Sequence, residues 1–142
     1  MFESRVIAVM SGMVGLSLWL AGVEPVAGGV TTRVAPGGDA IELEIPTEVG
    51  TQKETLPLYH SGKIHYFSAG IGQVEREAAY PPFPLKLVFT AGGKPFVTGV
   101  EVVLRQNKGA TVLTVPREQV TGPWLFIDVP DGTYEVAATL GG

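Results

Sequence analysis

The second half of the chain is a series of short apolar runs separated by turn residues, and this pattern constrains the fold more than any other feature of the 142 residues. From Pro84 onward, stretches rich in Val, Leu, Ile and Phe alternate with Gly, Pro, Asn and Asp. Such runs are typical of β-strands, and the residues between them favour tight turns. The sequence therefore predicts an all-β fold of the sandwich type.

Strand positions follow from the period-two alternation of apolar and polar residues. The predicted strands span 63–70, 85–90, 100–106, 111–115, 124–129 and 133–140. The same alternation predicts a set of inward-facing side chains: Leu87, Phe89, Val102, Leu104, Leu125, Ile127, Tyr134 and Val136. One helical turn is predicted around Val74–Ala79, because Pro81-Pro82 ends it.

The first 28 residues have the pattern of an export signal. Arg5 precedes an apolar run from Val6 to Val23, and small residues follow at Val26, Gly28 and Gly29. This order predicts an apolar signal helix that is cleaved after Gly28 or Gly29, which leaves a periplasmic or secreted protein. The alternative is an uncleaved inner-membrane anchor, because the run is near the shortest length that spans a bilayer.

Composition excludes several classes of protein. Charged residues make up 17% of the chain and the formal net charge is −4, so a nucleic-acid partner is not expected. There is no cysteine, which excludes a disulfide scaffold, a thiolate nucleophile and a lipid anchor on cysteine. The fold must therefore depend on its hydrophobic core.

Residues 29–63 are predicted to be a linker with one accessory strand. The stretch "AIELEIP", 40–46, alternates Ile41, Leu43 and Ile45 with two glutamates, as a half-buried strand does. No period is sustained over 47–62, which we interpret as a loop.

Four stretches resemble a known family when they are taken in order. They are "GIGQVERE" at 70–77, "PLKLVF" at 84–89, "GVEVVLRQNKGATVLTV" at 99–115 and "GPWLFIDVPDGTYEVAATLGG" at 122–142. This series is similar to small exported bacterial proteins with a carboxypeptidase regulatory-like domain. The resemblance covers 64–142 and implies a prealbumin-like (transthyretin-like or immunoglobulin-like) Greek-key sandwich without catalytic residues.

Relative to that family pattern, the chain lacks the hairpin that follows the double glycine. The resemblance thus implies an open sheet edge, which is a template for strand addition. Ile41, Leu43 and Ile45 are the candidates to fill it, either in their own chain or in a neighbouring copy, which would build a homo-oligomer.

Chemistry-bearing residues are few. His60 and His65 are the only histidines, and they are candidate metal ligands together with Glu75 or Glu77. Ser61 and Ser68 lie close to them in sequence, but no nucleophile-elbow motif surrounds either serine. The simpler interpretation, which argues against a metal-binding or hydrolytic protein, is that the histidines are ordinary surface residues.

Aromatic residues offer a different kind of site. Trp124, Tyr66 and Tyr80 are candidates for a contact surface, although Trp124 would also serve to cover one end of the core. The sequence thus favours a non-enzymatic exported sandwich, without a cofactor, that contacts an envelope protein or glycan. The alternatives are a subunit that assembles by strand complementation and a metal-binding or hydrolytic protein.

Overall fold

The computed structural model describes residues 5–10, 29–90, 98–106 and 109–140 of the chain. Most of this part is β-structure. The strands are β1 (Arg5–Met10), β2 (Thr31–Val34), β3 (Ala40–Thr47), β4 (Gly50–Pro57), β5 (Tyr59–Ser61), β6 (Ile64–Ala69), β7 (Leu85–Val88), β8 (Val100–Gln106), β9 (Thr111–Val115), β10 (Trp124–Asp128) and β11 (Thr133–Leu140). One short helix, α1 (Gly72–Glu77), follows β6, and a 3-10 turn spans Arg117–Gln119. The all-β prediction is confirmed.

The strands form three sheets. The first has the order β1-β11-β8-β9, the second β5-β6-β10-β7 and the third β2-β3-β4. Neighbouring strands are antiparallel except for β1 and β11, which are parallel. The chain passes between the first two sheets at β7–β8, β9–β10 and β10–β11. Buried side chains from both sheets form one cluster, so these sheets face each other as a sandwich.

The main hydrophobic core lies between the first and second sheets. All eight side chains that alternation predicts to face inward are buried in it. On β8 and β11 the buried residues recur at every second position, as the pleat of a strand requires. The inward register predicted for these strands is therefore confirmed.

A second core lies on the opposite face of the second sheet. Phe67 and Phe126 project from that face, and their rings stack at 4.7 Å between centroids. Ile41 and Leu43 of the third sheet are fully buried in the same cluster. The second sheet therefore carries an apolar layer on both faces, and the third sheet covers one of them.

The interpretation of 47–62 as a loop was wrong. This stretch contains β4 and β5, and residues 29–63 hold four strands rather than a linker with one accessory strand. Nearly all of β4 is exposed, so its side chains lack the apolar alternation from which strands are recognised. Backbone pairing with β3 over its whole length places it in the sheet.

The predicted signal helix falls largely on residues 1–4 and 11–28, which lie outside the described residues. Within that segment, the chain from Arg5 to Met10 is an extended strand that pairs with β11. No helix in the described part of the chain is long and apolar enough to cross a membrane.

Candidate functional site

The two histidines are brought together by a tight hairpin. Strands β5 and β6 are joined by Gly62 and Lys63, and Gly62 adopts a φ of 60° that suits a two-residue turn. His60 and His65 are directly opposite in the register of this hairpin. Their rings are perpendicular, with 4.4 Å between centroids.

The hydrogen-bond partners of the two histidines assign their tautomers. Nε2 of His60 bonds to the backbone carbonyl oxygen of Gly38, which can only accept, so Nε2 carries the hydrogen. Nδ1 of neutral His60 is then an acceptor, and it lies 2.5 Å from Nδ1 of His65. When both rings are neutral, Nδ1 of His65 therefore donates this hydrogen bond to Nδ1 of His60.

The glutamates proposed as further metal ligands have other roles. The Oε1 atom of Glu75 accepts hydrogen bonds from the backbone N–H groups of Gly70 and Ile71, at 3.1 and 3.2 Å, at the start of α1. Glu77 accepts a hydrogen bond from the side chain of Gln73. Across the described residues, no three His, Cys, Asp or Glu side chains surround a common point that a metal ion could occupy.

Ser68 holds the two inner strands of the second sheet in place. It is buried, and its hydroxyl oxygen lies 2.8 Å from the carbonyl oxygen of Trp124 and accepts from the N–H of Gly122 at 2.9 Å. A hydroxyl with these partners is a structural hydrogen-bonding group. The structure therefore gives Ser68 no histidine that would act as a base.

The three aromatic candidates are divided between the two cores. Tyr66 is buried in the main core, and its hydroxyl donates to Oε1 of Gln119 at 2.6 Å. Tyr80 packs against Phe67 in the second core, and burial raises the pKa of its hydroxyl. Tyr66 therefore lies apart from Tyr80 and Trp124, which both pack against Phe126 in the second core.

Trp124 lies half-buried on the outer face of the second sheet, at the margin of the second core. The Nζ atom of Lys86 lies 3.8 Å from the centroid of its ring, within the range of a cation–π interaction. Gly70 packs against the same indole. The ring is therefore largely engaged by its own chain.

The strand-donor candidates lie in the third sheet. Ile41 and Leu43 are fully buried and Ile45 is partly buried, whereas β3 pairs with β2 and β4. Their apolar row packs on the face of the second sheet. They do not extend the edge of either sandwich sheet.

The strand that does extend a sandwich sheet is β1. It runs parallel to β11 from the pair Arg5–Thr133 to the pair Met10–Ala138. Sequence reasoning treated this stretch only as part of a signal segment. The signal that would have found it is the β-branched composition of "RVIAVM", which favours strands.

Fold and geometry together define an all-β sandwich with a third sheet packed on one outer face. Comparisons of the chain with protein-family models, with curated proteins and with solved structures gave no match. The resemblance to carboxypeptidase regulatory-like domains therefore stays a prediction.

Proposed function

We propose that this protein is an exported, non-enzymatic β-sandwich module that binds an extended segment of an envelope protein along the free edge of β11. The observation that carries the proposal is the pairing of β11 with β1. The residues of β1 lie inside the segment predicted to be removed on export. Export would thus remove the strand that covers this edge.

An uncovered β11 is well suited to strand addition. Pairing with β1 covers its backbone from Thr133 to Ala138, and on the other side it is paired with β8 over nearly its full length. Without β1, one row of N–H and C=O groups has no partner strand in the part of the chain that the structure describes, and such an edge binds extended chains. Since β8 and the core hold β11 rigidly, little ordering would oppose binding on the sandwich side.

The chemistry of the ligand follows from that of β1, the strand that pairs with β11 in this structure. "RVIAVM" is rich in β-branched residues, and its register partners Val136 and Ala138 are buried on the core side. The partner segment should therefore be extended and apolar at alternate positions. If the partner is a second copy of this protein that donates such a strand, the same edge would build a homo-oligomer.

A glycan ligand has weaker support. Sugar recognition at Trp124 requires an accessible ring face, and Lys86 already lies over this indole. The fold favours a protein partner as well, since main-chain pairing at an edge is independent of side-chain chemistry.

The test uses a tether on a chain that has no cysteine of its own. Val9 and Ala137 are register partners, so the double variant Val9→Cys, Ala137→Cys can form a disulfide that fastens β1 to the edge. Three forms are compared for capture of partners from envelope extract: residues 30–142, the oxidised double variant, and the single variant Val9→Cys.

We expect residues 30–142 to capture a partner that the oxidised double variant does not capture. The single variant controls for the substitution itself. Equal capture by the oxidised double variant and by residues 30–142 would show that the β11 edge is not the binding site.

A further inference from the structure

The histidine pair has the geometry of a small metal site that is independent of the β11 edge. Strand β5 is the outermost strand of the second sheet, and its His60 side chain is exposed while His65 is half-buried. An ion from solvent can reach both rings there. Because these are the only two histidines in the chain, imidazole ligation by this protein has one location.

We propose that His60 and His65 bind one divalent transition-metal ion of the kind that prefers imidazole nitrogen, represented by Zn²⁺, between their Nδ1 atoms. Neutral imidazole is the commonest protein ligand of such ions. Two nitrogen ligands from directly opposite positions of a hairpin make a chelate whose spacing is set by the backbone register.

The contact between His60 and Gly38 orients the first ligand. Metal-bound histidines generally donate their other ring N–H to a carbonyl or carboxylate, which fixes the tautomer and the ring plane. Nε2 of His60 makes this bond to the carbonyl of Gly38, so its Nδ1 lone pair is aimed at His65. The orienting group that a metal ligand needs is therefore already in place.

The second ligand requires a tautomer change and a small movement. The two Nδ1 atoms lie 2.5 Å apart, and in the neutral tautomers assigned above the proton of that hydrogen bond is the Nδ1 hydrogen of His65. A zinc ion in the place of that proton, at about 2.0–2.1 Å from each nitrogen, needs them about 3.3 Å apart in a tetrahedral shell. The Nδ1 hydrogen of His65 is released to solvent and Nε2 of the same ring takes one up from solvent, so His65 stays neutral and changes tautomer. The exposed ring of His60 adjusts by about 1 Å.

The surroundings favour a cation moderately. Asp128 is the register partner of His65 on the next strand, so its carboxylate lies on the same face of the sheet. Lys63 in the hairpin turn is positively charged and would repel a cation, but its side chain is exposed to solvent. Since the described residues include no ready cluster of three ligating side chains, water would complete the coordination shell.

The direct test is nuclear magnetic resonance on the full chain, purified without a histidine tag, with Zn²⁺ alone as the probe. Long-range proton–nitrogen spectra report both rings and their tautomers. We expect stoichiometric Zn²⁺ to shift the Nδ1 resonances of both histidines and to leave His65 with its hydrogen on Nε2. A response from only one ring, or from neither ring with Zn²⁺ in excess, overturns the proposal.

Calorimetric titration with Zn²⁺ gives a second, independent measurement. His60→Gln and His65→Gln should each weaken binding by about tenfold or more, since even a change in the groups that orient a ligand costs about 10–100-fold. Glu77→Gln is the matched control, because this carboxylate is exposed and bonded within α1. Equal weakening by Glu77→Gln, or unchanged binding in either histidine variant, contradicts the site.

Discussion

Gly70 lies so close to the indole of Trp124 that a methyl group on Gly70 would stand 2.9 Å from Cδ2 of that ring. The backbone of Gly70 also has a φ of +102°, which side chains other than hydrogen rarely allow. Two separate physical constraints therefore require glycine where β6 leads into α1. The contact fixes the position of Trp124 on the outer face of the second sheet.

Gly70→Ala should lower the free energy of unfolding more than Gly72→Ala does. Gly72 has a φ of +80° but nothing within 4 Å of its missing Cβ, so its substitution reports backbone strain alone, about 1–3 kcal/mol. Gly70→Ala adds the clash with the indole. Urea unfolding of both variants measures the difference, and equal losses would show that Trp124 moves away without cost.

Ile127→Ala and Leu104→Ala should each lower the free energy of unfolding by about 2–5 kcal/mol. Both side chains are fully buried between the two sandwich sheets, and each truncation leaves a cavity. Glu101→Ala on the same strand as Leu104 is the control, because Glu101 is exposed. If both core variants melt like the unaltered protein, the core is not packed as described.

The third sheet should contribute to the same folded unit through its buried apolar row. Leu43→Ala is expected to cost about 2–5 kcal/mol, since Leu43 is fully buried against the second core. Gln52→Ala on exposed β4 should change the free energy of unfolding little.

Deletion of 30–48 should expose Phe67 and Phe126 to solvent. Binding of a dye that recognises exposed apolar surface measures this change. A shortened protein that stays soluble, monomeric and equally stable would show that the third sheet is dispensable.

Stability should fall as the pH rises above about 10, where an unfolded tyrosine ionises. Burial raises the pKa of Tyr80, and also those of Tyr66 and Tyr134, in the folded state. The unfolded chain therefore loses these protons first, so the stabilisation is complete below pH 10 and is lost as the pH rises toward the folded pKa.

Tyr80→Phe is expected to flatten this dependence. It also removes the hydrogen bond of the Tyr80 hydroxyl to the carbonyl of Glu75, which costs about 1 kcal/mol at neutral pH. Urea midpoints measured on both proteins from neutral to alkaline pH test the effect. Parallel curves for the two proteins would mean that Tyr80 does not contribute to the alkaline loss.

Export should remove the N-terminal segment after Gly28 or Gly29, because small residues follow the apolar run there. Intact-mass measurement on protein from its native host decides the point. A protein that still starts at Met1 and is found only in membranes would establish the anchor instead. Cleavage is also the step on which the proposed opening of the β11 edge depends.

Strands with a buried face were predictable because side chains alternate with a period of two. The bounds of β8, β9 and β11 agree with those predicted from the pattern, and the inward residues of β10 follow the same rule. Turn residues such as Pro130 and Gly132 place the ends of these strands. For these strands the sequence pattern is local, because the alternation of apolar and polar residues along the strand shows which face is buried.

Strands without a buried face were not predictable in this way. The sequence of β4 is polar and charged along nearly its whole length, as suits an exposed edge strand. The position of β4 in the third sheet depends on backbone hydrogen bonds to β3. Such bonds do not require any alternation of apolar and polar side chains. The pairing of β1 with β11 joins the two ends of the sequence, and no local pattern specifies such a contact.

The candidate sites divide in the same way. The sequence by itself determined that two histidines, no cysteine and few charged groups are available, and thus which chemistries this protein can perform. Tertiary structure decided that His60 and His65 touch and that Glu75 instead receives the N–H groups before α1. It also decided that Tyr66 and Tyr80 lie in separate cores. Residue type fixes what a side chain can do, whereas register and sheet packing fix which side chains meet.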